Sequence, residues 1–135
     1  MNALLALLQL SPPPDTDITL LFQKAAIALL VGALVGLERE RSQTDHERLF
    51  AGIRTFPLIG LLGFLSALLG TAFGPWLLGV ITAGFIALVV ASYYLEASKG
   101  SHGATSEVAA ILVFVLGILI DLDLYAVAIA SSVVL

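Results

Sequence analysis

Gly32-Ala-Leu-Val-Gly-Leu-Glu-Arg-Glu40, read with Ala51-Gly-Ile-Arg-Thr55, decides how this chain folds. An apolar run ends in a burst of charge, a polar stretch follows, and a second apolar run opens on an arginine. Two acids, Glu38 and Glu40, and three arginines, Arg39, Arg41 and Arg54, therefore crowd one boundary. Apolar segments that switch abruptly to charge are the pattern of helices leaving a membrane.

Composition agrees. Of 135 residues, 59% are hydrophobic and 12% are charged, and the mean hydropathy is +1.05. Soluble domains carry about 25% charged residues, so this chain has too little polar surface to cover a water-exposed core. The expected fold is all-α, a polytopic transmembrane helix bundle of about five spans. The chain has no cysteine, which excludes disulfides, thiolate metal sites and thiol nucleophiles. No basic stripe with interleaved aromatics occurs, so nucleic acid is not an expected partner. There is no phosphate-binding glycine loop and no nucleophile constellation, and no enzyme activity is expected.

Outward from the opening stretch, the boundaries are marked by residue chemistry. Residues 1–17 form a lead-in, interfacial or disordered, that ends in Ser11-Pro12-Pro13-Pro14-Asp15. Consecutive prolines forbid a helical ladder. Thr16 or Asp17 is placed to cap the helix that follows. Ile18–Leu37 is a first span. Phe56–Phe73 is a second, with Pro57 tolerated in its first turn. Gly74-Pro75 is a tight turn, and Pro75–Leu95 is a third span bounded by Trp76 and by Tyr93-Tyr94, aromatics suited to the two interfaces. Val108–Ile120 is short for a span, which draws Thr105, Ser106 and Glu107 toward the bilayer interior. Asp121-Leu-Asp123 is a polar turn. Leu124–Leu135 is a further apolar segment too short to span alone, so either it is completed by neighbouring helices or, the favoured expectation, it is cut short and residues 18–135 are one transmembrane domain of a longer protein.

Arg39, Arg41, Arg48, Arg54 and Lys99 all fall in two of the connecting regions, and the others carry no lysine or arginine. The positive-inside rule then places the N-terminus outside and the C-terminus inside. Lys24 is the exception, with a stem long enough to snorkel outward.

Several features are candidates for function. Ala28, Gly32 and Gly36 recur every fourth residue, a spacing that lets helix backbones approach closely. The partner is either another helix of this chain or a second copy in a homodimer. Glu38 follows Leu37 at the hydrocarbon boundary, where an ionisable group is costly unless paired. Arg54 opens the next helix at the same boundary and can hold a carboxylate bidentately, so a buried Glu38–Arg54 pair is expected. Thr105, Ser106 and Glu107 have the form of a helix start, with hydroxyl caps and an acid in the first turn. They also supply hard oxygens that, beside Glu38, suit Mg²⁺. Glu38 and Glu107 are thus the candidate metal ligands, and Glu38, Arg54, Thr105, Ser106 and Glu107 the candidate polar centre. His46 and His102 read as solvated. No internal repeat is evident.

Gly36-Leu37-Glu38-Arg39-Glu40 followed by Ala51-Gly52-Ile53-Arg54-Thr55 resembles the membrane domain of MgtC/SapB proteins. Thr105-Ser106-Glu107-Val108-Ala109-Ala110 is similar to the later helix start of longer relatives with a second membrane half. The resemblance implies a multi-pass protein of the bacterial inner membrane with N-out, C-in topology and a link to Mg²⁺ homeostasis. The functional expectation is a Mg²⁺-linked transport or channel module, dimeric in the bilayer. The alternatives are a non-transporting module that binds partner helices, and a transporter of another solute.

Overall fold

The structure, a computed structural model, describes residues 18–41, 53–100 and 104–134. The expected cap at Thr16 or Asp17, the lead-in, His46, Arg48, His102 and Leu135 lie outside these residues. The described residues form five helices: α1, Ile18–Arg41; α2, Thr55–Phe73; α3, Pro75–Ala97; α4, Thr105–Asp121; and α5, Tyr125–Val134. The described residues hold helices and no strand, and α1, α2 and α3 are long and apolar enough to cross a membrane.

Each boundary has a local cause. α1 runs past Leu37 to Arg41, because Glu38–Arg41 are good helix formers and nothing there breaks the ladder. Gly74 takes φ 114°, which only glycine adopts freely, and its N–H closes on the Gly70 carbonyl at 2.9 Å. Pro75 then starts α3 at a position where its missing N–H costs nothing. α4 ends in a Schellman-type cap: the Asp123 N–H bonds Ile120 O at 3.2 Å and the Leu124 N–H bonds Leu119 O at 3.0 Å. Asp123 supplies the left-handed residue, with φ 63°.

Packing places α2 and α4 at the centre. They run parallel and share the most extensive contact in the bundle, α1 lies across both, α3 touches both, and α5 rests on α4 and α1. Glycines bring the backbones together. A Cβ added at Gly63 would strike the Phe114 carbonyl, and one at Gly117 would strike the Gly60 carbonyl and lie 2.8 Å from Phe64 N. At the α1–α2 crossing a Cβ on Gly60 would lie 2.6 Å from the Ala28 carbonyl, and one on Gly32 would meet the Phe56 carbonyl. Phe85 of α3 stacks on Phe114 of α4 with centroids 4.6 Å apart.

A repeat absent from the residue types is present in the burial. Residues 58–70 of α2 and 108–120 of α4 are buried, half-buried or exposed in the same order, position for position, at an offset of 50. The pattern breaks one turn earlier. Phe56 is buried and Pro57 half-buried in α2, whereas Ser106 is half-buried and Glu107 buried in α4. The two central helices occupy equivalent surroundings over these thirteen positions, and the equivalence ends where Glu107 enters the bundle.

Outward-facing positions are apolar. Phe22, Leu30, Leu58, Val80 and Leu88 are all exposed. Apolar surface this extensive is stable only against lipid or other helices.

Candidate functional site

The end of the bundle where α1 stops and α2 and α4 begin carries the charged residues. α4 starts at Thr105, with Ala104 in the N-cap position and no side chain capping it. Thr105 and Ser106 are therefore helical residues and not caps, which corrects the expectation from their sequence. Thr105 is exposed and Ser106 half-buried. Glu107, in the first turn, is turned into the bundle.

Glu107 is 4% exposed, and neither carboxylate oxygen has a hydrogen-bond partner among the described residues. Its helix presents Ala109, Ala110, Val113 and Phe114 to an apolar cluster that includes Val35, Phe56, Phe85 and Val89. A carboxylate buried beside apolar residues without partners is energetically expensive. Glu107 is the group on which this end of the bundle turns.

Glu38 and Arg54 do not share its surroundings. Both side chains are exposed on the surface of the same end. The expectation that Glu38 is buried is thus corrected. α1 continues straight through this position, and Glu38 falls off the face that carries Val31 and Val35. Arg39 falls on it, four residues beyond Val35. It is half-buried, and its Nε is fully buried without a partner. The sequence groups Arg39 with the other boundary arginines, because residue type alone does not show which arginine of a charged helix end points inward.

Two buried polar groups at this end have opposite charge, and a third is neutral. Ser92 of α3 is 7% exposed. It lies seven residues beyond Phe85, and Glu107 lies seven before Phe114. Because Phe85 and Phe114 stack across antiparallel helices, both polar residues sit about 10 Å from that stack toward the same end.

The opposite end holds a polar contact that residue types did not announce. Lys24 Nζ lies 2.9 Å from Asp123 Oδ1 and donates to the Asp121 carbonyl at 3.1 Å. Tyr125 Oη donates to the same Asp123 oxygen at 3.1 Å. The Lys24 hydrogen bond and the Tyr125 hydroxyl hold the Asp123 carboxyl below its usual value. The signal was available: counting alternating spans puts Lys24, Asp121 and Asp123 at one end, and a single cation there seeks the acids.

Ala28, Gly32 and Gly36 are all buried. Ala28 and Gly32 meet α2 at the backbone contacts given above, so this face is covered within the chain and is not a free homodimer seam. An exposed run of small residues lies on α3, where Gly79, Ala83, Ala87 and Ala91 follow one another every fourth residue. A Cβ at Gly79 would meet open space.

Among the described residues no group of three or more His, Cys, Asp or Glu is placed to hold a metal ion. One buried carboxylate is compatible with a hydrated Mg²⁺, which keeps several waters and uses one or two carboxylates. It does not make a dehydrated cage.

No curated protein and no solved structure matches this chain. A family model does, described as the MgtC family, and its match covers residues 26–135. It takes in most of α1 and all of α2 to α5, including Arg39, Glu107 and the Asp123 turn. On a match of that extent, the chain belongs to the MgtC family.

Proposed function

We propose that the chain is a multi-pass module of Mg²⁺ homeostasis in the bacterial inner membrane that attracts a hydrated cation to Glu107. The observation that carries this reading is the Glu107 carboxylate, buried and with both oxygens unpartnered. Buried acids in membrane helices cluster on ion and proton pathways. Glu38 and Glu40, where α1 ends at the same end of the bundle, add negative charge that raises local cation concentration. Ser92, Thr105 and Ser106 offer neutral oxygens for the waters of a hydrated ion. Arg54 limits the net negative charge at this end. The module has no catalytic role, and the membrane topology is N-out and C-in with five passes.

The test is Mg²⁺ flux into proteoliposomes holding an Mg²⁺-sensitive dye. Glu107→Gln is expected to reduce flux at least tenfold and Glu38→Gln by less than threefold. Undiminished flux in Glu107→Gln sinks the reading.

A second reading is a non-transporting module that binds partner helices, either those of a second copy or those of another membrane protein. The exposed run of Gly79, Ala83, Ala87 and Ala91 favours it, since small residues at this spacing admit another helix at close range. On that reading Ala83→Leu abolishes association, measured by crosslinking in lipid, while Glu107→Gln leaves it unchanged.

A further inference from the structure

The register between α1 and α4 is fixed at three points. At one end Lys24 bonds the Asp121 carbonyl and the Asp123 carboxylate. Further along, Val31 shares a buried cluster with Leu116 and Ile120. Further still, Val35 shares one with Ala109, Ala110 and Val113. As α1 advances, its neighbours on α4 fall back in step, as antiparallel helices require.

The next position on that α1 face is Arg39, 15 residues past Lys24, and Glu107 lies 14 residues before Asp121. At 1.5 Å per residue both displacements come to about 21–23 Å. Arg39 and Glu107 therefore arrive at one level on facing helices that touch. Arg39 Nε and both Glu107 carboxylate oxygens are buried with no hydrogen-bond partner among the described residues. A buried guanidinium nitrogen and a buried carboxylate left unsatisfied at the same level are each expensive, and pairing relieves both, since Arg presents a fork that fits a carboxylate.

We propose that Arg39 is the chain's own counter-ion to Glu107, so that guanidinium and cation compete for one buried carboxylate. This rests on the reading of Glu107 as a cation site and adds what occupies that site when no cation does. A change of Arg39 rotamer is enough to close the pair, because its aliphatic stem is already inserted while the helix backbone stays in place. A cation arriving at Glu107 displaces the guanidinium toward the exposed surface occupied by Glu38 and Glu40, where acids receive it. The site is then self-capped. It is neutral and closed without the ion, and the released arginine limits how long the ion stays.

The full chain in detergent micelles tests this with Arg39→Gln, Glu107→Gln and the double variant. Mg²⁺ serves as the probe, with a monovalent salt of equal ionic strength as the control. Thermal stability is read without Mg²⁺, and the Mg²⁺ concentration giving half the maximal stability shift is read for each protein. Without Mg²⁺ each single variant is expected to melt lower, and the double variant no lower than the worse single one. Additive losses overturn the pair. Arg39→Gln is expected to bind Mg²⁺ at least tenfold more tightly than the unaltered chain, because the competitor is gone, and unchanged or weaker binding overturns the competition. A full Mg²⁺ shift in Glu107→Gln removes the ion from this carboxylate and strikes the proposed function. In that event non-additive melting still supports the Arg39–Glu107 pair, and additive melting overturns it. If Arg39→Gln fails to fold, Arg39→Lys takes its place, and is expected to fold and to bind Mg²⁺ more tightly because ammonium lacks the bidentate fork.

Discussion

Asp123 combines two demands in one residue. It caps α4 with a positive φ of 63° and it receives Lys24 at 2.9 Å. Asp tolerates the left-handed conformation better than other charged residues. Asp123→Asn keeps the cap and loses the charge. Asp123→Gly relaxes the backbone and loses both side-chain contacts. Because the Asp123 side chain is 67% exposed, its ion pair resembles a surface pair and contributes little. The Lys24 bond to the Asp121 carbonyl survives in either variant and keeps the amine in place. Both are therefore expected to fold, with Asp123→Asn melting only slightly lower in detergent. The sign of the pH dependence follows from the direction of the shift. The Asp123 carboxyl lies below its ordinary 3.8 in the folded chain. Its stabilisation is therefore complete above about pH 3.8 and is lost as pH falls through the lower folded value. Asp123→Asn should remove that part of the acid sensitivity, and melts taken from pH 5 to pH 2.5 would show whether it does.

At the scale of helices, glycine position decides which changes are tolerated. Gly63 and Gly117 sit where α2 and α4 touch backbone to backbone, and a Cβ has nowhere to go. Gly63→Ala and Gly117→Ala are each expected to force the helices apart, at about 1–3 kcal/mol as for other overpacked sites. Gly79 and Gly84 of α3 have open space around the position of a Cβ. Gly79→Ala and Gly84→Ala should be neutral or stabilise by up to about 1 kcal/mol through helix propensity. Melting of the four variants separates a packing role from a general effect of glycine. The helices themselves were legible in the sequence, because Pro75, Gly74 and the charges at 38–41 punctuate apolar runs. α2 and α3 were read to within two residues of their ends. Glu107 could be suspected from the shortness of the apolar run after it. What Arg39 and Lys24 face is not legible in the sequence, because it depends on the register between α1 and α4, and that register is set by packing across about 100 residues of chain. The equivalence of α2 and α4 is also hidden in the sequence. Their buried faces match, but three of the eight buried residues in α2 are glycine against one of eight in α4, where larger apolar residues take their place.

For the whole molecule, membrane burial and helix order together constrain which groups face which side. α1, α3 and α5 run one way and α2 and α4 the other, so the Lys24–Asp123 contact and the Arg39–Glu107 level lie at opposite ends. If the bundle crosses a bilayer, one of these ends meets each aqueous phase. On the proposed topology, the concentration of arginines at 39, 41 and 54, with Lys99, puts the Glu107 end inside. Absence of cysteine in the chain makes this directly testable. Single cysteines at exposed positions near the two ends, Arg41→Cys and Lys99→Cys at one and Leu122→Cys at the other, can be probed with a membrane-impermeant maleimide on intact spheroplasts. Leu122→Cys should label from outside, and Arg41→Cys and Lys99→Cys only after the membrane is opened. Removing an arginine weakens the orientation signal, so Lys99→Cys alone must give the same answer as Arg41→Cys. The reverse pattern would put Glu107 at the outer face, where a cation drawn to the carboxylates would come from the external medium. An even split between the two sides would mean that the chain inserts in both orientations, and the charge bias on which the direction rests would be too weak to set it.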